Sequence, residues 1–119
     1  PETSIKIKQQ SHATATIENA LAGICRIVVA VNPSVDLDEI LNEVLACMPF
    51  TADLHEMKSA YNYFMHVMNK RPELLVPYFP LIKPWLEQHL ADPQTYHFRN
   101  DFQEKLWHLH SVISQGTSN

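Results

Sequence analysis

Histidine and cysteine are the residues of this chain that could act as metal ligands, general bases or nucleophiles. The sequence has seven histidines and two cysteines. A helical zinc site needs two histidines four residues apart and a third ligand, whereas His108 and His110 are two apart and point to different faces. His89 and His97 are separated by a proline turn, and no Ser-His-Asp or Cys-His grouping is placed by the sequence. We therefore predict no catalytic residue, no metal and no cofactor, and we expect the histidines on helix surfaces.

The two cysteines, Cys25 and Cys47, fall inside apolar helical patterns, where a free cysteine is usually a small buried hydrophobe. This usage fits a reducing compartment, and the polar N-terminus has no signal-peptide pattern. Arg26 and Asn32 interrupt or bound the most apolar run, so we expect no segment of the roughly 18 residues that a membrane span needs. The sequence predicts a protein of the cytoplasm and nucleus without membrane contact.

Acidic side chains are the other group that could serve a function. The net charge is −4 and the chain has only nine Lys and Arg residues, which disfavours a nucleic-acid partner and favours basic protein partners. We predict an acidic protein-binding ladder on the second helix of each repeat, formed by Asp36, Asp38, Glu39, Glu43, Glu87 and Asp92. The alternative is a solvated helix face in which Asp36, Asp38 and Glu39 serve as N-terminal capping residues.

The elements that must position these acids are helices. Two glycines and eight prolines leave the chain without Asn-Gly or Asp-Gly hairpin signals. Apolar residues recur at steps of three and four, as in Ile17, Leu21, Ile24 and Val28. The stripes predict helices over residues 14–31, 37–48, 54–70 and 72–91, and a last helix carrying the stripe 98–113.

Local signals predict where these helices begin and end. Asn32 and Pro33 should end the first helix, and Asp36 with Glu39 should cap the second as a capping box. We expect Asp53 to cap the third helix. The 72–91 segment should be broken near residues 77–80 and regular after Pro84, and Gly116 should stop the last helix.

The helical stripes repeat along the chain. A shift of about 40 residues places Ala20 on Ala60 and Ile24 on Phe64, and a further shift of about 41 places Met57 on Phe98. This period is typical of HEAT and armadillo units, each a pair of antiparallel helices. We therefore predict an all-α fold, an α-α superhelix of about two and a half HEAT-type hairpins. Residues 14–114 would form the repeat segment, 1–13 a flexible extension and 115–119 a polar tail, as in an excised part of a longer protein.

The segments IENALAGICRIVVAVNP (17–33) and LDEILNEVLACMPFTADLHEM (37–57) resemble the C-terminal HEAT repeats of the importin-β (karyopherin-β) superfamily of nuclear transport receptors. The resemblance covers residues 15–60 best. It departs from the family pattern at His55, where an acid is usual, and in the three prolines within 77–84.

The resemblance implies a non-catalytic segment of a nuclear import receptor that helps to bind basic cargo such as histones or ribosomal proteins. The parent protein would also meet nucleoporins and the small GTPase Ran. Two other functions remain open from the residues: a Ran-independent cytosolic HEAT scaffold or adaptor, because fold does not fix function, and an enzyme or metal protein.

Overall fold

Six α-helices and two 3-10 turns make up the part of the chain that the structure describes, residues 2–117, with side chains for residues 12–116. The structure is a computed structural model. The helices are α1 (Glu2–Val31), α2 (Leu37–Cys47), α3 (Met57–Lys70), α4 (Pro72–Leu75), α5 (Phe79–Leu90) and α6 (Asn100–Thr117), and the 3-10 turns are Leu54–Glu56 and Val76–Tyr78. The chain is 80% helical, and residues 2–117 contain no strand. The predicted all-α fold class is confirmed.

The first and third helices run side by side in the same direction. Asn19 of α1 bonds to Asp53 just before α3, and Arg26, two turns further along α1, reaches Ser59 inside α3. The residue numbers of the contacting partners increase along both helices, so α1 and α3 are parallel, as the first helices of successive hairpins must be.

The last helix continues this order. The ring of Tyr61 in α3 lies 6.2 Å from that of Phe98 before α6, and Met68 and Val112 further along the two helices line one groove. Helix α5 runs the opposite way to α6, since Phe79 at its start meets Gly116 at the end of α6. The arrangement is consistent with stacked α-α hairpins.

A continuous apolar core joins the helices and is centred on α3. Tyr61, Tyr63 and Phe64 are fully buried there. Helix α1 contributes Ala22 and Cys25 to the core. Of the positions that the repeat aligns, Ala60 and Phe64 of α3 are buried, whereas their counterparts Ala20 and Ile24 of α1 are exposed. Burial of the apolar surface of the core is the main source of stability.

Helix α1 is longer than predicted. It begins at Glu2, whereas the sequence predicts a start at residue 14 after a flexible extension. The first turns have no apolar stripe, but they also contain no glycine or proline, so nothing interrupts the backbone hydrogen bonding. At its other end the prediction is confirmed: Val31 is the last residue, and Asn32 follows at φ 52° with its amide bonded to the Val28 carbonyl. Asparagine tolerates this left-handed conformation.

The prolines of residues 72–91 act as predicted in part. The segment is broken into α4, a 3-10 turn and α5, with the break at Val76–Tyr78. Helix α5 nevertheless starts at Phe79 and includes Pro84, which the sequence places at the beginning of the regular part. Pro80 lies in the first turn, where an amide has no helical partner in any case, and Pro84 is exposed.

Gly116 does not stop the last helix, because α6 continues to Thr117 and takes in the start of the predicted polar tail. A Cβ atom at this position would lie 2.7 Å from Cε2 and 2.8 Å from Cδ2 of Phe79. The glycine therefore serves close packing of α5 on α6, not helix termination.

Candidate functional site

Asp36 is the N-terminal cap of α2, as predicted. Its Oδ1 accepts the backbone N–H groups of Asp38 at 3.1 Å and Glu39 at 3.2 Å. These bonds satisfy amides that have no partner within the helix. The carboxylate of Asp36 therefore has a structural task that is sufficient to explain it.

The remaining predicted acids of α2, Asp38, Glu39 and Glu43, are all exposed. Glu39 and Glu43 are four residues apart and so share one face of the helix. The charges of Asp36 and Asp38 act on Arg71 at the end of α3, whose pKa is raised first by its hydrogen bond to Glu73, then by the charge of Glu73, and less by the two aspartates. The acids of α2 thus form a solvent-facing group with one guanidinium near its N-terminal end.

Glu87 and Asp92, the other predicted acids, lie on the α5–α6 hairpin. An oxygen of Glu87 is 3.3 Å from Nε2 of His110 in α6, without the alignment of a hydrogen bond. Asp92 accepts the hydroxyl of Thr95 within the turn that follows α5. Both side chains are therefore turned to their own hairpin.

A buried carboxylate that the sequence analysis missed belongs to Glu18. Its side chain is only 2% exposed and accepts three consecutive backbone amides, from Thr51 at 2.9 Å, Ala52 at 3.1 Å and Asp53 at 2.7 Å. The available sequence signal was spacing: Glu18 lies three and four residues before Leu21 and Ala22, so it shares their buried face of α1. It clamps the turn between α2 and α3 onto α1.

The sequence predicts that Asp53 caps the next helix, but its side chain makes no capping hydrogen bond. It is the residue before the 3-10 turn Leu54–Glu56, but its Oδ2 accepts a hydrogen bond from Nδ2 of Asn19 at 3.0 Å. The prediction failed because a partner on α1 lies within reach of the carboxylate. Asp53 therefore contributes to the contact between hairpins.

His89 is a buried histidine, contrary to the expectation that the histidines lie on helix surfaces. It is 1% exposed, and its Nδ1 is hydrogen-bonded to the hydroxyl of Tyr61. Burial lowers the pKa of His89 from 6.5 to about 4 and raises the pKa of Tyr61 above its usual range. The neutral pair joins α3 to α5. Its sequence signal is the spacing from Ile82 and Leu86, which puts His89 on the apolar stripe of α5.

The cysteines differ in their surroundings. Cys25 is fully buried, as predicted, and burial raises the pKa of its thiol to about 12. Cys47 is only half-buried, and its pKa is raised first by loss of solvent and then by the charges of Glu18 and Glu43. Both thiols are therefore poor nucleophiles at neutral pH.

Two histidines from distant parts of the chain meet in space. The rings of His55 and His97 lie with centroids 4.1 Å apart and an interplanar angle of 33°. Within residues 12–116, however, no three His, Cys, Asp or Glu side chains are grouped as a metal ion would require. The contact is a tilted ring pair, with His55 in the 3-10 turn just before α3.

The stretch His12–Val31 of α1 is long and apolar enough to cross a membrane, by length and composition alone. The expectation that no segment would qualify was therefore wrong, because Glu18 and Arg26 are too few to lower the mean hydropathy. Mostly buried core helices of water-soluble proteins and signal sequences pass the same test, and 28% of the apolar window is buried in this fold. In this fold both charged side chains of the stretch contact α3 or the turn before it.

Comparison of the chain with models of known protein families, with curated proteins and with solved structures gives no match.

Proposed function

We propose that this chain is a non-catalytic, protein-binding segment of a nuclear import receptor and contributes to the recognition of basic nuclear cargo such as histones or ribosomal proteins. The observation that carries the proposal is the direction of the helices. Helices α1, α3 and α6 are parallel, α2 turns back after α1, and α5 runs opposite to α6. That order is how helical-repeat proteins build an extended row of helices for a partner. The sequence of residues 17–57, which resembles importin-β repeats, supports an import receptor over other helical-repeat proteins.

The surface best suited to a basic partner is the exposed acidic face of α2, with Glu39 and Glu43 at its centre. Residues 12–116 place no lysine or arginine in an ion pair with either side chain. A basic segment would therefore not have to displace an internal cation. Binding of this kind depends on long-range attraction and weakens as salt rises, because the Debye length falls from about 10 Å at 0.1 M to about 3 Å at 1 M.

The test is binding of a lysine-rich, histone-tail-like peptide to the chain by fluorescence anisotropy at several salt concentrations. Replacement of Glu39 and Glu43 by Gln should weaken binding by about tenfold at low salt, since each lost ion pair contributes up to about 1 kcal/mol. The control is the replacement of Asp101 by Asn together with Glu104 by Gln, which removes the same charge from exposed positions of α6. Equal loss in both variants, or no binding by the native chain, would reject the α2 site.

The second candidate is a Ran-independent cytosolic scaffold or adaptor, which the hairpin order supports equally well. The two candidates differ in their response to nucleotide state. A full-length protein that contains this segment should bind Ran loaded with GTP in preference to Ran loaded with GDP and release its basic cargo, if it is an import receptor. Equal binding of the two forms would favour the scaffold.

A further inference from the structure

The outer face of α1 carries a row of apolar side chains that nothing in the described part of the chain covers. Ile17 is 57%, Ile24 46%, Ile27 61% and Val31 68% exposed, and the two alanines of the row are exposed as well. The row consists of Ala13, Ile17, Ala20, Ile24, Ile27 and Val31 and is called the α1 seam below. A contiguous apolar row of this length is a candidate interaction site, because the largest apolar patch on a monomeric protein is often functional.

The spacing of the α1 seam indicates that its partner is another helix. Successive members are separated alternately by four and three residues, which is the pattern of helices that pack side by side with interlocking side chains. Isoleucine and valine side chains at such positions have few rotamers and so lose little entropy when they are covered.

The charge distribution permits the partner to be a second copy of the same helix. Between Ala13 and Val31 the chain has two charged residues, Glu18 and Arg26. Glu18 is buried against the turn that holds Asp53, and Arg26 is paired with Glu56 beside α3. Neither carboxylate nor guanidinium lies in the α1 seam, so two seams can meet without like-charge repulsion.

The order of large and small residues sets the direction of pairing. If two α1 helices run antiparallel about a two-fold axis midway between Ala20 and Ile24, each alanine meets a branched side chain of the partner. The layers are Ala13 with Val31, Ile17 with Ile27, and Ala20 with Ile24, each occurring twice by symmetry. In a parallel pair, alanine would face alanine in two layers and leave gaps there.

We propose that two copies of this chain associate through the α1 seam as an antiparallel, two-fold symmetric pair. A two-fold interface uses the same patch on both partners, which is what a self-complementary row provides. The exposed area of the six residues is on the order of 500 Å² per copy, so the pair would bury at most about 1,000 Å², which is the lower limit for a specific interface. The association should therefore be reversible. The inference concerns a surface apart from α2 and applies to this chain on its own, because a preceding hairpin in a longer repeat protein would occupy the same face of α1.

The first test is sedimentation equilibrium of the native chain from about 1 μM to about 1 mM, where a monomer–dimer equilibrium is expected. Ile27→Glu should raise the dissociation constant at least ~10-fold, because the charge would be buried against Ile17 of the second copy. The matched control is Leu81→Glu, at an apolar residue of α5 that is 52% exposed but outside the α1 seam. It should leave the dimer unchanged, and circular dichroism checks that both variants fold.

The second test fixes the direction of pairing. Ala13→Cys and Val31→Cys chains are mixed and oxidised, and the native chain, with its own Cys25 and Cys47, is the control. A disulfide between the two different variants is expected, with little between identical ones. A native chain that is monomeric throughout the range, or disulfides formed only between identical variants, would overturn the proposal. So would transfer of the chain onto phosphatidylcholine vesicles in place of dimerisation.

Discussion

The carboxylate of Glu18 in α1 accepts the backbone amide of Asp53 at 2.7 Å, across a sequence distance that spans the whole of α2. The same side chain also receives the amides of Thr51 and Ala52. Hydrogen bonds to a charged acceptor are about twice as strong as neutral ones. Three consecutive amides of the turn between the first two hairpins are therefore held by one side chain of α1.

Replacement of Glu18 by Gln should lower the free energy of unfolding by about 2–3 kcal/mol. The side-chain amide of Gln has one oxygen, and its NH₂ group would face a backbone donor that is left unsatisfied. Urea denaturation at neutral pH measures the change, and Glu104→Gln at an exposed site of α6 is the control, with an expected change below about 0.5 kcal/mol. Equal effects in the two variants would contradict the clamp.

The stability of the chain should fall as the pH is lowered from about 6.5 towards 4. His89 has a pKa of about 4 when folded, below its value of 6.5 when exposed, so the unfolded chain takes up a proton first in this window. The contribution of neutral His89 is complete above pH 6.5 and is lost as the pH falls, by up to roughly 3 kcal/mol.

Denaturation curves at pH 7.5 and 4.5 test this expectation. His89→Asn keeps a hydrogen-bonding group near the position of Nδ1 but does not titrate, so the variant should be less stable at pH 7.5 and should lose less stability on acidification. His108→Asn, at an exposed histidine, should keep the native pH dependence. The idea fails if His89→Asn and the native chain respond to acid in the same way.

The two glycines should respond in opposite ways to alanine. Gly116→Ala should destabilise the chain by about 1–3 kcal/mol or unwind the last turn of α6, because the new methyl group would overlap the ring of Phe79. Gly23→Ala adds a methyl group whose nearest neighbour is Nη2 of Arg26 at 3.7 Å, an ordinary contact. It should stabilise the chain by about 0.5–1 kcal/mol through helix propensity. Thermal melts of the pair provide the comparison.

Cys47 should react with a disulfide reagent well before Cys25. At pH 8 a thiol with a pKa of about 12 is almost wholly protonated, and Cys25 is also shielded from the reagent by burial. In a Cys47→Ser variant the remaining thiol should become reactive only when denaturant unfolds the chain. Rapid reaction of that variant under native conditions would place Cys25 at the surface.

The sequence predicts those features that depend on local chemistry. The end of α1 at Asn32, the cap at Asp36 and the order of helical stripes all follow from residues within one turn of each other. The features that failed depend on partners far along the chain: Gly116 is explained only by Phe79, and the carboxylate of Asp53 is taken by Asn19.

The candidate site shows the same division. The exposed acids of α2 could be recognised from their spacing along the helix. Helical periodicity does not show, however, that Glu87 is turned towards His110 on another helix. Likewise the buried pair of Tyr61 and His89 needs α3 and α5 to be placed side by side before either polar group has a partner. The acidic ladder itself stays a prediction that the peptide-binding experiment addresses.

The clamp formed by Glu18 also has a mechanical consequence. To swing the second hairpin relative to the first, a load must break three bonds to one carboxylate together, so this joint will resist bending as a unit. In the segment between α4 and α5 the amides of Val76 and Phe79 bond to the carbonyls of Pro72 and Val76, but Pro77 and Pro80 supply no amide hydrogens and no buried carboxylate of residues 12–116 braces the turn. Strain applied along the stack should therefore be taken up around Val76–Tyr78, while α1 and α3 move as one rigid lever.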